Sequence, residues 1–169
     1  MYDFIFVFGS QGSGKTTLAR ILKEKLHSVH IDYDWIRDFH LDKDWKNVSP
    51  TEEQMSFENL LFLLKNYARH SYKNVIVGGF TEEGISSILD NLGDYKNIVI
   101  SLYLNDDEVL KQRVMTETRD SGFRDYAQSI ELNKRIRDVL HYPNEHKIDN
   151  THQIPEETAN QVMDILAGR

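Results

Sequence analysis

The 169-residue chain contains no cysteine, which excludes disulfides, thiolate zinc centres and cysteine nucleophiles. It also lacks a basic excess: 20 Lys and Arg against 27 Asp and Glu leave a formal charge of −7. Coating a nucleic acid requires a basic stripe, so that role is disfavoured and any functional positive charge must be local. The first apolar run, 3–8, carries Asp3 within it and passes straight into a glycine-rich turn, so neither a signal peptide nor a membrane span is expected there. The seven histidines show no metal-ligand spacing, and there is no internal repeat, low-complexity tract or linker. The remainder, 40% apolar and 28% charged, is ordinary for one soluble globular domain.

The most informative segment is Gly9-Ser10-Gln11-Gly12-Ser13-Gly14-Lys15-Thr16, which satisfies G-x-x-x-x-G-K-[ST]. It follows an apolar, β-rich run and precedes a segment that sets Leu18, Ile21, Leu22 and Leu26 on one helical face. Strand, loop and helix in that order are what a phosphate cradle needs. Glycines let successive amides point inward at phosphate oxygens, and the helix N-terminus adds partial positive charge. Lys15 is expected to reach the β and γ phosphates, and Thr16 to offer its hydroxyl to Mg²⁺. A nucleoside triphosphate site is therefore expected, with Gly9, Gln11, Gly12, Ser13, Gly14, Lys15, Thr16 and Thr17 as its residues.

Strands are expected near 3–8, 28–32, 74–79, 97–104 and 146–149. Helices are expected near 15–26, 34–40, 51–71, 82–92, 106–117, 124–141 and 155–167. Such alternation predicts an α/β fold, a parallel sheet covered on both faces. The third helix opens at Ser49-Pro50 with early acids, before an apolar face read as Met55, Leu60, Phe62, Leu63 and Tyr67. The polar stretch 116–126, with Gly122 and almost no apolar anchor, is the expected lid.

Other candidate groups sit where the strands end. Asp32 and Asp34 follow the second strand with Arg37 close behind, at the sheet edge where ligands bind. One carboxylate orienting an acceptor hydroxyl and another holding Mg²⁺ would suit phosphoryl transfer, and a helix cap is the alternative for either. The third strand ends in Gly78-Gly79-Phe80 without an acid, which makes Asp32 the better metal-side carboxylate. The two glycines permit close approach of a ligand or of another backbone. Arg113, Arg119, Arg124, Arg135 and Arg137 span the stretch between the fourth strand and the last helix. Arg119 and Arg124 are expected to bring movable charge to the transferring phosphoryl, whereas Arg137 reads as part of a solvated helix face. The loop from Asp149 to Pro155, with Asn150 and Thr151, can meet an adenine edge through backbone groups. Trp35, Phe39, Trp45 and Phe80 offer an apolar wall for an acceptor.

Together these residues resemble the P-loop nucleotide and small-molecule kinases, the superfamily of adenylate, shikimate and gluconate kinases, over almost the whole chain. Gly9 to Thr17 matches their Walker A loop. Asp32-Tyr33-Asp34 is similar to the D-x-D of shikimate kinases, which implies a metal-side role for Asp32 and an acceptor-side, catalytic role for Asp34. Asp34-Trp35-Ile36-Arg37 is similar to the D-x-x-R of adenylate kinases, which implies that Arg37 grips an anionic acceptor. Arg124-Asp125 and Arg135 resemble a lid arginine and its following helix arginine, and Asp149 to Glu157 resembles the adenine loop and final helix. The resemblance implies three α/β/α layers, a five-stranded sheet of order 2-3-1-4-5 and a short lid. It places Arg113, Asn150 and Thr151 against ATP, and Gly79, Phe80 and Arg135 against the acceptor. This chain departs from the adenylate kinase D-G-F-P-R in having Gly78-Gly79-Phe80-Thr81-Glu82, and Glu117 stands where a lid often has a second arginine.

The expectation is a cytoplasmic kinase that uses ATP and Mg²⁺ on a small metabolite or nucleoside, as a monomer or weak homodimer without membrane or nucleic-acid partners. A nucleotide-dependent switch and a kinase of nucleic-acid ends are the alternatives. The guanine-reading N-K-x-D pattern is missing, and a switch would leave the paired acids unexplained.

Overall fold

A computed structural model describes residues 1–116 and 122–169. Five short strands form one sheet: β1 (Phe4–Gly9), β2 (His30–Asp32), β3 (Val75–Gly78), β4 (Asn97–Tyr103) and β5 (Glu145–Asp149). Every pair is parallel and the order is β2-β3-β1-β4-β5. All five C-terminal ends therefore share one edge.

The central strand shows why the sheet is covered on both sides. In β1 every residue is buried, but alternate side chains serve different layers. Phe4, Phe6 and Phe8 join Val75, Val77 and Val99 in one core. Ile5 and Val7 join Ile76, Ile98, Ile100 and Ile148 in the other. Each fully buried side chain of this kind contributes about 1.5–3 kcal/mol relative to exposure.

The aliphatic core is closed by α1 (Lys15–Leu26) through Leu18, Ala19 and Leu22, and by α7 (Pro155–Leu166) through Ala159 and Val162. The aromatic core is closed by α2 (Tyr33–Arg37), α3 (Pro50–Arg69), α4 (Glu82–Asn91) and α6 (Tyr126–Asp138) through Ile36, Leu60, Leu64, Ile85, Ile88 and Ile136. A third, smaller cluster of Leu104, Leu110 and Val114 packs α5 (Asp107–Met115) against Phe123 and Ile130.

Helix starts follow local chemistry. Ser49 accepts from the Glu52 amide with Pro50 behind it, Thr81 from Gly84, and Asp125 from Gln128. Several helices are shorter than expected, among them 106–117, which is 107–115. The expected 34–40 is 33–37, because Asp32 takes the cap and the amides of His40 and Leu41 both turn back to the Arg37 carbonyl, at 2.9 and 3.0 Å. The expected 124–141 is 126–138, because Asp125 caps it and the amides of Val139 and Leu140 both return to Arg135 O at 2.8 Å.

The apolar face read for α3 also needs correction. Met55 and Phe62 are 40% and 63% exposed. The buried stripe runs Glu52, Ser56, Leu60, Leu64, four residues apart, so two polar side chains occupy positions facing the core.

Candidate active site

The phosphate loop is built as a concave turn. Gly12 and Gly14 have φ of 86° and 93°, a region unfavourable to side chains. A Cβ on Gly12 would stand 2.8 Å from Val114 Cγ2, so α5 lies directly behind the loop. Gly14 caps α1, whose first turn carries no acid, leaving its positive end uncompensated. Lys15 Nζ folds back to donate to the carbonyls of Gly9 and Ser10, both at 2.8 Å. Among the described residues the buried hydroxyls of Ser10 and Ser13 have no partner. Amides, an ammonium and hydroxyls are all donors, and this donor set fits a polyphosphate.

The rear of the loop is pinned from a distant segment. Asn150 Nδ2 donates to Ser13 O at 2.7 Å across 137 residues. Arg113 in turn donates to the carbonyls of Asn150 and Thr151, at 3.0 and 2.9 Å. Thr151 Oγ1 accepts from the Asn105 amide and donates to Asp149. Burial would push Asp149 up, but hydrogen bonds from Thr151 and Asn105 hold its carboxyl below the ordinary carboxylate value. Arg113 is thus both a wall of the cleft and a tie between α5 and this loop.

A cleft of about 1840 Å³, which includes the phosphate loop, runs along the C-terminal edge of the sheet. Asp32 caps α2, its Oδ1 accepting from the Asp34 amide at 3.1 Å. Gly79, at φ 84°, makes this possible: a Cβ there would press on that carboxylate and stand 2.9 Å from Tyr33 N. Asp34 lies on the cleft wall, exposed to water on one side and backed by protein on the other. That partial burial first, and then the neighbouring charge of Asp32, push its carboxyl up to about 6, against the pull of Arg37 and Lys15. A carboxylate with a pKa near neutrality is suited to accept a proton.

Arg37 lies in the cleft but is already engaged. Its Nη2 donates to Glu52 Oε2 at 2.8 Å and its Nε to Oε1 at 3.4 Å. The Trp45 ring covers its guanidinium at 4.9 Å. Arg135 pairs with Glu82 at 2.8 Å. Phe80 stacks on Tyr33, ring centroids 5.8 Å apart and planes 15° off parallel.

Most of the residues expected at the site therefore meet. Gly9, Gln11, Gly12, Gly14, Lys15, Thr16, Thr17, Asp32, Asp34, Arg37, Gly79, Phe80, Arg113, Arg135 and Asn150 all line one cleft. Ser13 and Thr151 are buried behind it, as supports. Arg124 is not on the wall; it donates to Phe123 O at 2.8 Å. Arg119 and the centre of the expected lid, 117–121, lie outside the described residues. Of the apolar wall, Trp35, Trp45 and Phe80 face the cleft, whereas Phe39 is 81% exposed and does not. Sequence reasoning missed the acids of α3, α4 and α6: Glu52 and Glu53 look like ordinary helix-start residues, and nothing local marks Glu83 or Glu131.

No curated protein sequence matches this chain. The description of the AAA domain matches residues 5–133. Among solved structures, a sugar kinase from Janibacter superposes with a TM-score of 0.69 at 16% identity, covering 97% of this chain and 94% of that one. Thymidylate kinase from Candida albicans gives 0.67 at 14% identity, covering 98% and 91%. Shikimate kinase from Aquifex aeolicus gives 0.63 at 18% identity, covering 98% and 96%. At these identities the likeness concerns the fold.

Proposed function

We propose that this chain, a member of the AAA domain family, is a P-loop kinase: an ATP-dependent phosphotransferase acting on a hydroxyl or phosphate of a small metabolite or nucleoside. One observation carries the reading: a single cleft joins the phosphate loop to Asp34, a carboxylate raised to about 6.

ATP is gripped by the amides of 9–16 and by Lys15, whose ammonium leaves the carbonyls of Gly9 and Ser10 for the phosphates. Arg113, Asn150 and Thr151 hold the wall on the nucleotide side. Thr16 and Asp32 would hold Mg²⁺, which would neutralise charge on the phosphate chain. Asp34 orients the acceptor hydroxyl and takes its proton as the acceptor oxygen bonds to the γ-phosphorus and ADP departs. In this reading of a single domain, Arg119 in a short lid over 116–126 would supply further charge to the transferring group, and Arg124 would join it on leaving the Phe123 carbonyl.

The proposed setting is the cytoplasm, where ATP is supplied, with the chain as a monomer or weak homodimer. Among the described residues no helix is long and apolar enough to cross a membrane.

The test is acceptor-dependent release of ADP, with Asp34→Asn and Lys15→Ala compared. Asp34→Asn is expected to lose about a hundredfold or more in turnover while binding ATP normally, and Lys15→Ala to weaken both. Unchanged turnover in Asp34→Asn would remove this residue from the mechanism. Hydrolysis stimulated only by a protein partner would favour a switch.

A further inference from the structure

The charge on the acceptor side of the cleft is unlike that on the phosphate side. The elements beyond the loop bring Asp34 from α2, Glu53 from α3, Glu82 and Glu83 from α4, and Glu131 from α6 to the wall. Among the described residues, the only Lys or Arg side chains that these elements bring are Arg37 and Arg135. Both are spent. Arg37 is held by two hydrogen bonds to Glu52, with Glu53 a further 3.7 Å contact, and Arg135 by Glu82 at 2.8 Å.

With each arginine cancelled by its own carboxylate, Asp34, Glu53, Glu83 and Glu131 leave this half of the cleft negative. Among the described residues, an anionic acceptor would face these charges with no uncompensated guanidinium from these elements, and one like charge at about 6 Å costs roughly tenfold or more in affinity. A cation gains by the same amount. The stacked Tyr33 and Phe80, with Phe57 on the same wall, offer apolar and π surface to a compact carbon skeleton bearing that cation.

We propose that the acceptor is an amine-bearing polyhydroxyl compound, an amino sugar or aminocyclitol, whose protonated amines are read by Glu53, Glu83 and Glu131 while one hydroxyl faces Asp34. The inference rests on the phosphotransferase reading above. The amine does not react. The acceptor hydroxyl oxygen bonds to the γ-phosphorus, the bond from that phosphorus to the bridging oxygen breaks, ADP leaves, and the hydroxyl proton passes to the Asp34 carboxylate.

The experiment measures ADP release by the full chain with MgATP and three matched acceptor sets: amino sugars and aminocyclitols with free amines, the same compounds N-acetylated, and sugar acids with nucleoside monophosphates. Free amines are expected to give a kcat/KM at least about tenfold above their acetylated partners, with the anionic set inert. The double variant Glu83→Gln/Glu131→Gln, at two exposed positions, should lower the kcat/KM ratio of free amines to their acetylated partners about tenfold, chiefly through KM for the free amines. Equal turnover of amines and acetamides, or preference for a sugar acid or monophosphate, overturns the charge inference and leaves the phosphotransferase intact. ADP release with none of the three sets overturns the charge inference, and the phosphotransferase falls with it only when nucleosides and neutral sugars are inert as well.

Discussion

Glu52→Gln is the perturbation that tests most directly how the acceptor side is wired. In the native chain the Glu52 carboxylate accepts from Arg37 at 2.8 and 3.4 Å and from Ser56 Oγ at 2.7 Å. The side chains of Arg37 and Glu52 are 14% and 7% exposed. Removing one partner of a buried ion pair costs about 3–5 kcal/mol, because the other is left charged and uncompensated. Here the pair lies beneath a partly exposed Trp45, and Glu53 remains at 3.7 Å, so the cost falls at or just under the bottom of that range: about 2–3 kcal/mol. For a chain of this size that is roughly 5–10 °C in Tm.

The pH dependence carries a sign. The Arg37 hydrogen bond, above all, holds the Glu52 carboxyl below its ordinary 4.5. Its stabilising contribution is complete above that unfolded value and is lost as pH falls through the lower folded value. Denaturant titrations from neutral to acid pH should show Glu52→Gln converging on the native protein in that acid window. Arg37→Met combined with Glu52→Leu should cost less than Glu52→Gln alone, since apolar replacement of a buried pair is often neutral. The freed guanidinium in Glu52→Gln should also improve binding of an anionic acceptor. A loss under about 0.5 kcal/mol at pH 7, the range of ordinary surface substitutions, would refute the account of Arg37 as a cancelled charge.

Four further outcomes follow from the site. Because Asp34 is raised to about 6, kcat/KM should rise with pH up to that value and then level, and a profile without this limb would exclude Asp34 as the base. The same shift means that stability is lost as pH climbs from 3.8 to about 6, so Asp34→Asn should melt higher than the native chain at pH 7 in a thermal scan. Gly79→Ala, at φ 84° and pressing on the Asp32 cap, should cost about 1–3 kcal/mol in denaturant unfolding and lower turnover as well. Asn150→Ala strands the Ser13 carbonyl and should cost about 1–3 kcal/mol while weakening ATP in calorimetry.

The sheet and the phosphate loop were legible because their signals are local. β1 reads as an apolar run, the loop as glycines at fixed spacing, and the alternation of elements as a parallel sheet. The order β2-β3-β1-β4-β5 came from the family resemblance. What local pattern could not supply was partnership. Arg37 reads as a free cation because Glu52, fifteen residues away, reads as a helix-start acid. The α3 face was misassigned for the same reason: apolar identity pointed to Met55 and Phe62, while the ion pair drew Glu52 and Ser56 inward. Asp32 is both a cap and a cleft residue, two roles that a linear reading sets against each other.

The struts around the nucleotide end share one trait: Lys15, Asn150 and Arg113 all terminate on main-chain oxygens. Every amino acid supplies such an oxygen, so these bonds make no demand on the receiving side chains, whose identities answer to their other roles. Drift at Ser10 or Thr151 that spares the local turn keeps these anchor points in place, and paired mutation, the usual trace of two touching side chains, leaves no mark across them.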